Sequence, residues 1–366
     1  MERKELSDLL GKYCRQPALS GYERKMAELF RQEIRPYCDE VEQDRAGNVI
    51  GTIAGTDPEA PKVMVMAHLD NIGFMVKQIL PSGLMKLERV GDSADKVLQG
   101  AGMVVANDRQ EYFPGVIATQ SYGANTLKDR ATVDPLSSLL LDIGLMSGRE
   151  VRELGIGVGD PVMYEPNYLP MAANDRVIGT FLEGRCGCTA VTDLAQRLKE
   201  DRPKCTVYLV GSVWQKFNFR GGVIAARAKM PEIVICVGPA FSSDTNEMKG
   251  TGNVRLGGGP AVSLFNFHGG GTLNGCIPQR ELVDLALRTS RESGIPMQRS
   301  AGRGMISDTA YIQVEGTGIN CIDINIPVRY IHSPAEAADL KDVEAAAGLI
   351  CGMLQRIDRD YPMDRY

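Results

Sequence analysis

Histidine is rare in this chain of 366 residues: His68, His268 and His332 are the only three, so any imidazole-based site must be built from them. No stretch approaches the roughly 18 consecutive apolar residues that a bilayer span needs, which excludes a membrane-crossing helix. No long basic block is present and the formal net charge is −5, so the electrostatic footprint of a nucleic-acid binder is missing. The opening Met1-Glu-Arg-Lys-Glu-Leu6 has no apolar core of the kind a signal peptide carries. No C-x-x-C pair exists to found a zinc site. Cys186 and Cys188 stand too close for an easy disulfide, and the nine mostly apolar-flanked thiols point to a reducing cytoplasm.

What is present reads as an ordinary soluble globular protein, with 43% hydrophobic and 24% charged residues. The length suits one large domain plus a smaller one. Residues 2–13 have the leucine spacing of a helix. Ser20-Gly-Tyr-Glu23 reads as a capping box for a helix carrying Met26, Leu29, Phe30 and Ile34. Val49–Ala54 and Lys62–Ala67 are apolar enough for strands, the second buried on both faces. From 71 to 165 short apolar runs alternate with turn signals, which predicts a β-rich insertion. Beyond it come a helix over Gly187–Lys199, a strand over Cys205–Val213, a helix from Gly221, and a strand over Glu232–Val237. A helix over Leu282–Ser293, a strand over Cys321–Ile326 and a helix over Asp342–Arg356 follow. The expectation is an α/β fold: a mostly parallel sheet flanked by helices, formed by 1–70 with 166–366 and interrupted by a small β-rich domain at 71–165.

Ligands of such sheets bind at the carboxyl ends of the strands. His68, Gln215, Gly238 and the 327–332 loop all fall there. His68 and Asp70, two residues apart where a buried strand ends, form a common opening of a metal-hydrolase site.

Several longer motifs add to this. Ala67-His-Leu-Asp-Asn-Ile-Gly-Phe-Met-Val76, Asp142-Ile-Gly144 with Glu153-Leu-Gly-Ile-Gly-Val-Gly-Asp160, and Pro327-Val-Arg-Tyr-Ile-His-Ser-Pro334 before Asp339-Leu-Lys-Asp-Val-Glu344 occur in a family's order. The chain resembles the tetrahedral, dinuclear-metal aminopeptidases, the glutamyl and deblocking aminopeptidases of the forty-second metallopeptidase family, some of which are labelled cellulases. The likeness runs from about 5 to 355. It implies an α/β peptidase domain with an inserted β dimerisation domain, self-assembly into dodecamers, zinc or cobalt as cofactor, and peptide N-termini as substrate.

By the same resemblance His68 and His332 are metal ligands, and Asp70 orients the His68 imidazole. The bridging aspartate of the family falls on Glu183, in Leu182-Glu-Gly-Arg-Cys-Gly187, and its acidic neighbour on Gly184. The general base falls on Gln215 and a metal-ligating glutamate on Lys216. A terminal aspartate ligand falls on Gly238, and the glutamate after Asp70 is Asn71. Asp308, in Gly304-Met-Ile-Ser-Asp-Thr-Ala310, matches a loop near the substrate, and Arg329 in the His332 motif is expected beside it.

The departures have consequences. A carboxamide does not titrate usefully, so Gln215 can position a water but not take its proton. An ammonium repels a dication, and glycine supplies no ligand. Two zinc or cobalt ions are therefore not expected at full occupancy, although a single ion on His68 and Glu183 stays possible. The Lys216 ammonium is expected to pair with Glu183, or with a ligand's carboxylate, within about 4 Å. Asp175, in an Asp-Arg pair, also mimics the bridging motif, but the Gly187–Lys199 helix follows Arg185 at the spacing the resemblance implies, so Glu183 is kept. Asp244 is expected to be structural and Trp214 to pack. Cys186 and Cys188 should pack at the helix start, and His268 should be a loop residue. The glycine runs at 257–259 and 269–271 lack the Lys-Ser/Thr of a phosphate loop. Two readings remain open: altered hydrolysis of peptide N-termini, or a non-catalytic oligomeric relative that binds a peptide or small metabolite. No opposed acid pair supports a glycosidase.

Overall fold

The computed structural model describes residues 1–124, 132–268 and 275–364. The Gly269–Gly271 run lies outside them.

The large sheet is built around four parallel strands in the order Val207–Ser212, Val63–His68, Ile233–Cys236 and Asn320–Arg329. Antiparallel strands extend it on both sides. Val49–Ile53 and Glu40–Gln43 lie beyond Val207–Ser212, and Glu336–Asp339, Arg176–Gly179 and Tyr168–Pro170 lie beyond Asn320–Arg329. Val63–His68 has six consecutive buried residues because helices cover both faces. Val63, Val65 and Ala67 face a core shared with the helices Arg3–Cys14, Arg24–Ile34, Leu182–Glu200 and Leu340–Leu354. Met64 and Met66 face a smaller core with Ala225, Ala226 and Ile312. This is the α/β architecture with helix-flanked parallel strands that the sequence predicts.

Between Gly73 and Tyr164 six short strands close into a barrel. The barrel core includes Phe74, Met85, Leu87, Met103, Val105, Ile117 and Val162, and Leu19 and Phe181 from outside the barrel pack into it. Its one α-helix among the described residues is the short Gly148–Glu153.

Three local expectations need correction. The helix expected from Gly187 begins at Leu182, so Glu183 lies in its first turn instead of on a preceding loop. The strand expected to end at Ile326 runs to Arg329, because Pro327 and Val328 still pair with Ala240 and Phe241. The Ser20–Glu23 capping box does not form. Glu23 is helical at the N-cap of Arg24–Ile34 and makes no side-chain cap. Both side chains are drawn to the site: the Ser20 hydroxyl donates to Asp70 and Glu23 accepts the Trp214 amide at 3.0 Å.

The helix Leu182–Glu200 is the central packing element, buried without a break from Leu182 to Ala195. Small residues let it approach the sheet. A Cβ on Gly187 would come within 2.4 Å of the Val237 carbonyl oxygen. Cys186 and Cys188 are buried in this helix, as their apolar surroundings predict.

Candidate functional site

The carboxyl ends of the central strands bring His68, Glu183, Gln215, Lys216 and His332 together. His68 closes its strand, Glu183 enters from the first turn of Leu182–Glu200, and Gln215 and Lys216 follow Val207–Ser212. The backbone there is unusual. Eight non-glycine residues among those described have positive φ, and six of them (Phe181, Trp214, Asn218, Phe219, Tyr330 and His332) lie within three residues of Glu183, Lys216 or His332. Left-handed backbone at non-glycine residues costs on the order of 1 kcal/mol or more each and gathers at functional sites.

The Lys216 Nζ donates to Glu183 Oε2 at 2.9 Å, with side-chain exposures of only 10% and 1%. This is the pairing that the Lys216 substitution predicts. Lys216 is held at both ends, since its amide donates to Asp70 Oδ2 at 2.8 Å. The His68 Nδ1 lies 2.9 Å from the backbone carbonyl oxygen of Asp70 and 3.7 Å from its Oδ1. The Asp70 carbonyl is the oxygen within hydrogen-bond distance of the imidazole, while Oδ1 of the carboxylate stands farther off and Oδ2 is taken by Ser20 and Lys216. The His68 Nε2 stands 3.2 Å from Glu183 Oε2, close enough for charge attraction but not aligned as a hydrogen bond.

These contacts set the charges. Burial works against the Glu183 carboxylate, but Lys216 and His68 outweigh it and hold Glu183 well below the usual carboxylate range. Burial also opposes charge on His68, yet Glu183 brings the imidazole up to about 9. Burial and then Lys216 push His332 down to about 4. The result is a compact group in which a lysine and a histidine neutralise buried carboxylates.

Sequence reasoning missed Glu336. Its two oxygens accept the amides of Glu183 at 2.8 Å and His332 at 2.6 Å, tying the two segments together. Burial and the nearby Glu183 push its carboxyl up to about 8. It follows His332 by four residues, and that proximity was the available signal. Asn71 is not directed at a ligand either. Its Oδ1 accepts from the Ala18 amide and from the buried Arg185.

A cavity of about 790 Å³ opens above this group and is lined by His68, Gln215, Lys216, Asp308 and His332 among others. Arg329, expected beside the ligand, does not line it. Its guanidinium is paired with Asp244 at 2.8 and 2.7 Å, which also gives Asp244 its structural role. Asp175 is bound to Arg3 and Lys341. The Gly257 and Gly259 amides donate to Asp342 at 2.7 Å each, so that glycine run holds the start of the last helix. His268 follows the strand Ala261–Phe267 and reaches the cavity.

These side chains do not fit a dinuclear metal centre. The ammonium of Lys216 takes a Glu183 oxygen that a metal would need. Gly238 brings no donor, and its nearest neighbour on the cavity side is Asn325 Oδ1, 3.2 Å from where a Cβ would sit. A side chain at Gly184 would come within 2.6 Å of the His68 ring. Among the described residues, no group of three His, Cys, Asp or Glu side chains is spaced to hold an ion.

With the site in view, comparison with known proteins gives a consistent picture. The chain is 36% identical over 348 residues to the aminopeptidase-named protein SgcX of Escherichia coli (strain K12), covering 95% of this chain and 92% of that one. Its fold is that of aminopeptidase APDkam598 from the archaeon Desulfurococcus kamchatkensis, with a TM-score of 0.91, 24% identity and coverage of 99% and 97% of the two chains. The Pyrococcus horikoshii TET1 peptidase, described as assembling into a tetrahedron or a large octahedral shell, aligns with a TM-score of 0.82 at 23% identity, covering 95% and 99%. Aminopeptidases of this kind are generally metal-dependent, which sharpens the contrast with the side chains at this centre. Residues 47–349 match the family described as M42 glutamyl aminopeptidase, and the chain belongs to that family.

Proposed function

We propose that this protein recognises peptides or peptide-like metabolites in the aminopeptidase cavity and does not cleave them by metal-assisted hydrolysis. The observation that carries this reading is the Lys216–Glu183 pair at 2.9 Å. A buried carboxylate needs a proton or a cation, and here a covalently attached ammonium supplies the cation. Lys216 thus stands in for a metal, keeps Glu183 ionised and preserves the shape of the pocket. The base position agrees, because Gln215, with Oε1 buried and unpartnered, has no carboxylate with which to accept a proton.

The competing reading, altered hydrolysis of peptide N-termini, draws on family membership. One experiment separates the two. The full chain is purified with zinc or cobalt in the buffers, its metal content is measured, and aminoacyl-nitroanilides and short peptides are assayed for release. Substoichiometric metal without turnover supports recognition. Two ions per chain with turnover would sink it.

Other features of this reading remain proposals. Separate hydrophobic cores support taking 1–70 with 166–366 as one domain and 71–165 as an inserted one. We expect self-association through the insert, up to a dodecamer; the assembly of the TET1 peptidase into a tetrahedron or an octahedral shell supports self-association. No helix among the described residues is long and apolar enough to cross a membrane. Nine free cysteines, seven of them buried, support a cytoplasmic setting.

A further inference from the structure

One wall of the cavity is a sheet face. The strand Ala261–Phe267 pairs with Asn320–Arg329 on one side and with Gln298–Arg303 on the other, and the register sets Ala261 against Asn325 and Ser263 against Ser300. Residues directly opposite one another share a face, and so do residues two apart on one strand. Val262 and Ile324 turn to the helix-packed core. Ser263, Ser300 and Asn325 turn the other way and line the cavity.

These three side chains are polar, uncharged and unused. Asn325 is 9% exposed and Ser263 4%, yet among the described residues none of the three side chains has a hydrogen-bond partner. Their polar neighbours are satisfied. Asp323 accepts from Ser307, Thr309 and Asn266, and Asn266 accepts the Cys276 amide at 2.9 Å. Asn325 differs because of what it faces. A Cβ on Gly238 would lie 3.2 Å from Asn325 Oδ1 and meet nothing else within 4 Å. Glycine at 238 therefore leaves the carboxamide of Asn325 facing open cavity.

We propose that Asn325, flanked by Ser263 and Ser300, is a subsite for a primary carboxamide group of the ligand. A buried amide without hydrogen bonds is costly, and it carries donors and an acceptor in one plane. A primary carboxamide matches that plane edge to edge: its N–H donates to Asn325 Oδ1 while its oxygen accepts from Nδ2. A carboxylate would set oxygen against Oδ1, and an ammonium would leave Nδ2 unpaired. A trans peptide group fails as well, because its N–H and C=O point to opposite sides. The serine hydroxyls, each both donor and acceptor, are left for the remaining N–H and lone pair. This subsite rests on the reading that the cavity recognises a ligand, and it specifies one uncharged group of that ligand.

The test is a saturation-transfer NMR titration of the full chain with butyramide, butyrate and 1,2-butanediol. Butyramide binding about tenfold or more tighter than either other probe, as expected for two hydrogen bonds that only the amide completes, and a preference lost in Asn325→Leu support the subsite. Butyramide binding no tighter than that of either other probe, or an amide preference that survives Asn325→Leu, overturns it. Gly238→Ala, whose methyl crowds Asn325 Oδ1, should reproduce the loss if Asn325→Leu folds poorly. Gln-Ala-Ala and Ala-Gln-Ala, each against its norleucine counterpart, then locate the source. A glutamine preference that Asn325→Leu abolishes supports the subsite and places the carboxamide on a peptide side chain. Peptides bound equally with and without glutamine, beside butyramide binding that depends on Asn325, keep the subsite and assign it to a non-peptide carboxamide. Butyramide binding without binding of any peptide would end the peptide reading and keep the subsite. Peptide binding without any butyramide preference would do the reverse.

Discussion

Two buried cations meet at the first turn of Leu182–Glu200, Arg185 from within the helix and Lys216 from the segment after Val207–Ser212, and they differ in how completely their surroundings are satisfied. Arg185 is fully buried, and its guanidinium donates to the carbonyls of Tyr13 at 3.1 Å, Gln16 at 2.9 Å and Leu69 at 2.7 Å, and to Asn71. Each of those acceptors lies in a loop or helix end that would otherwise be held loosely. The cation around Glu183 is different. Lys216 satisfies one oxygen of Glu183, while Glu183 Oε1, Asp70 Oδ1, Gln215 Oε1 and His68 Nε2 stay without hydrogen bonds. A buried polar group left unpaired costs about 1–3 kcal/mol, so a cluster of them persists where something else is meant to arrive. The first arrangement fastens the fold. The second leaves a place for a ligand.

The comparison can be broken in order of severity. Arg185→Met should be the most damaging change, since it strands buried carbonyls at three places. We expect a loss on the order of 3–5 kcal/mol, seen as collapse of soluble yield or a large fall in the melting temperature. Near-wild-type stability would show that Arg185 is dispensable and erase the distinction.

Lys216→Met should cost less, about 2–4 kcal/mol, because it leaves the Glu183 carboxylate buried with only His68 opposite. Adding Glu183→Leu should return most of the loss, and denaturant unfolding of the single and double variants measures the coupling. Independent, additive effects would mean that the 2.9 Å contact has little energetic meaning.

Asp323 sharpens the comparison because it is a buried acid with hydroxyl and amide partners and no cation. Burial pushes its carboxyl up to about 6 from an ordinary 3.8. A raised folded-state value means that the stability linked to this proton is fully present below the unfolded value. That stability is lost as pH rises through about 6. The loss should be on the order of 2–3 kcal/mol between pH 4 and 8, and Asp323→Asn should flatten that slope in unfolding measured across the range. A slope unchanged by the substitution would remove Asp323 as its source.

The mildest expected effect is chemical. Lys216→Glu with Gly238→Asp should raise bound zinc measurably without giving turnover, because Gln215 still cannot act as a base. The gain should be small, since a side chain at 238 must first displace Asn325. Unchanged metal content would mean that these two positions do not correspond to ligand positions.

The alternation of strands and helices was legible because periodicity reports burial directly. Val63–His68 and the final helix stand close to where their apolar patterns place them. The convergence of His68, Glu183, Lys216 and His332 was legible from motif order, and the Lys216–Glu183 contact from that order together with their opposite charges. Other features depended on tertiary partners. Ser20 and Glu23 have the spacing of a capping box, but Asp70 and the strained Trp214 turn compete for their side chains and win. Arg329 sits in the most informative motif, yet Asp244, 85 residues away in sequence, claims it. Glu336 gave no pattern of its own because it acts on two backbone amides, and a backbone amide leaves no mark in the residue code.

Gly184 sets a limit on what its neighbourhood can accept. His68 leans so close that an added Cβ would lie 2.6 Å from its ring. Any side chain at position 184 therefore needs the imidazole to move, and the Asp70 carbonyl 2.9 Å from Nδ1 resists that movement. Positions 68 and 184 are tied: a larger residue at one requires a different ring position, or a different residue, at the other.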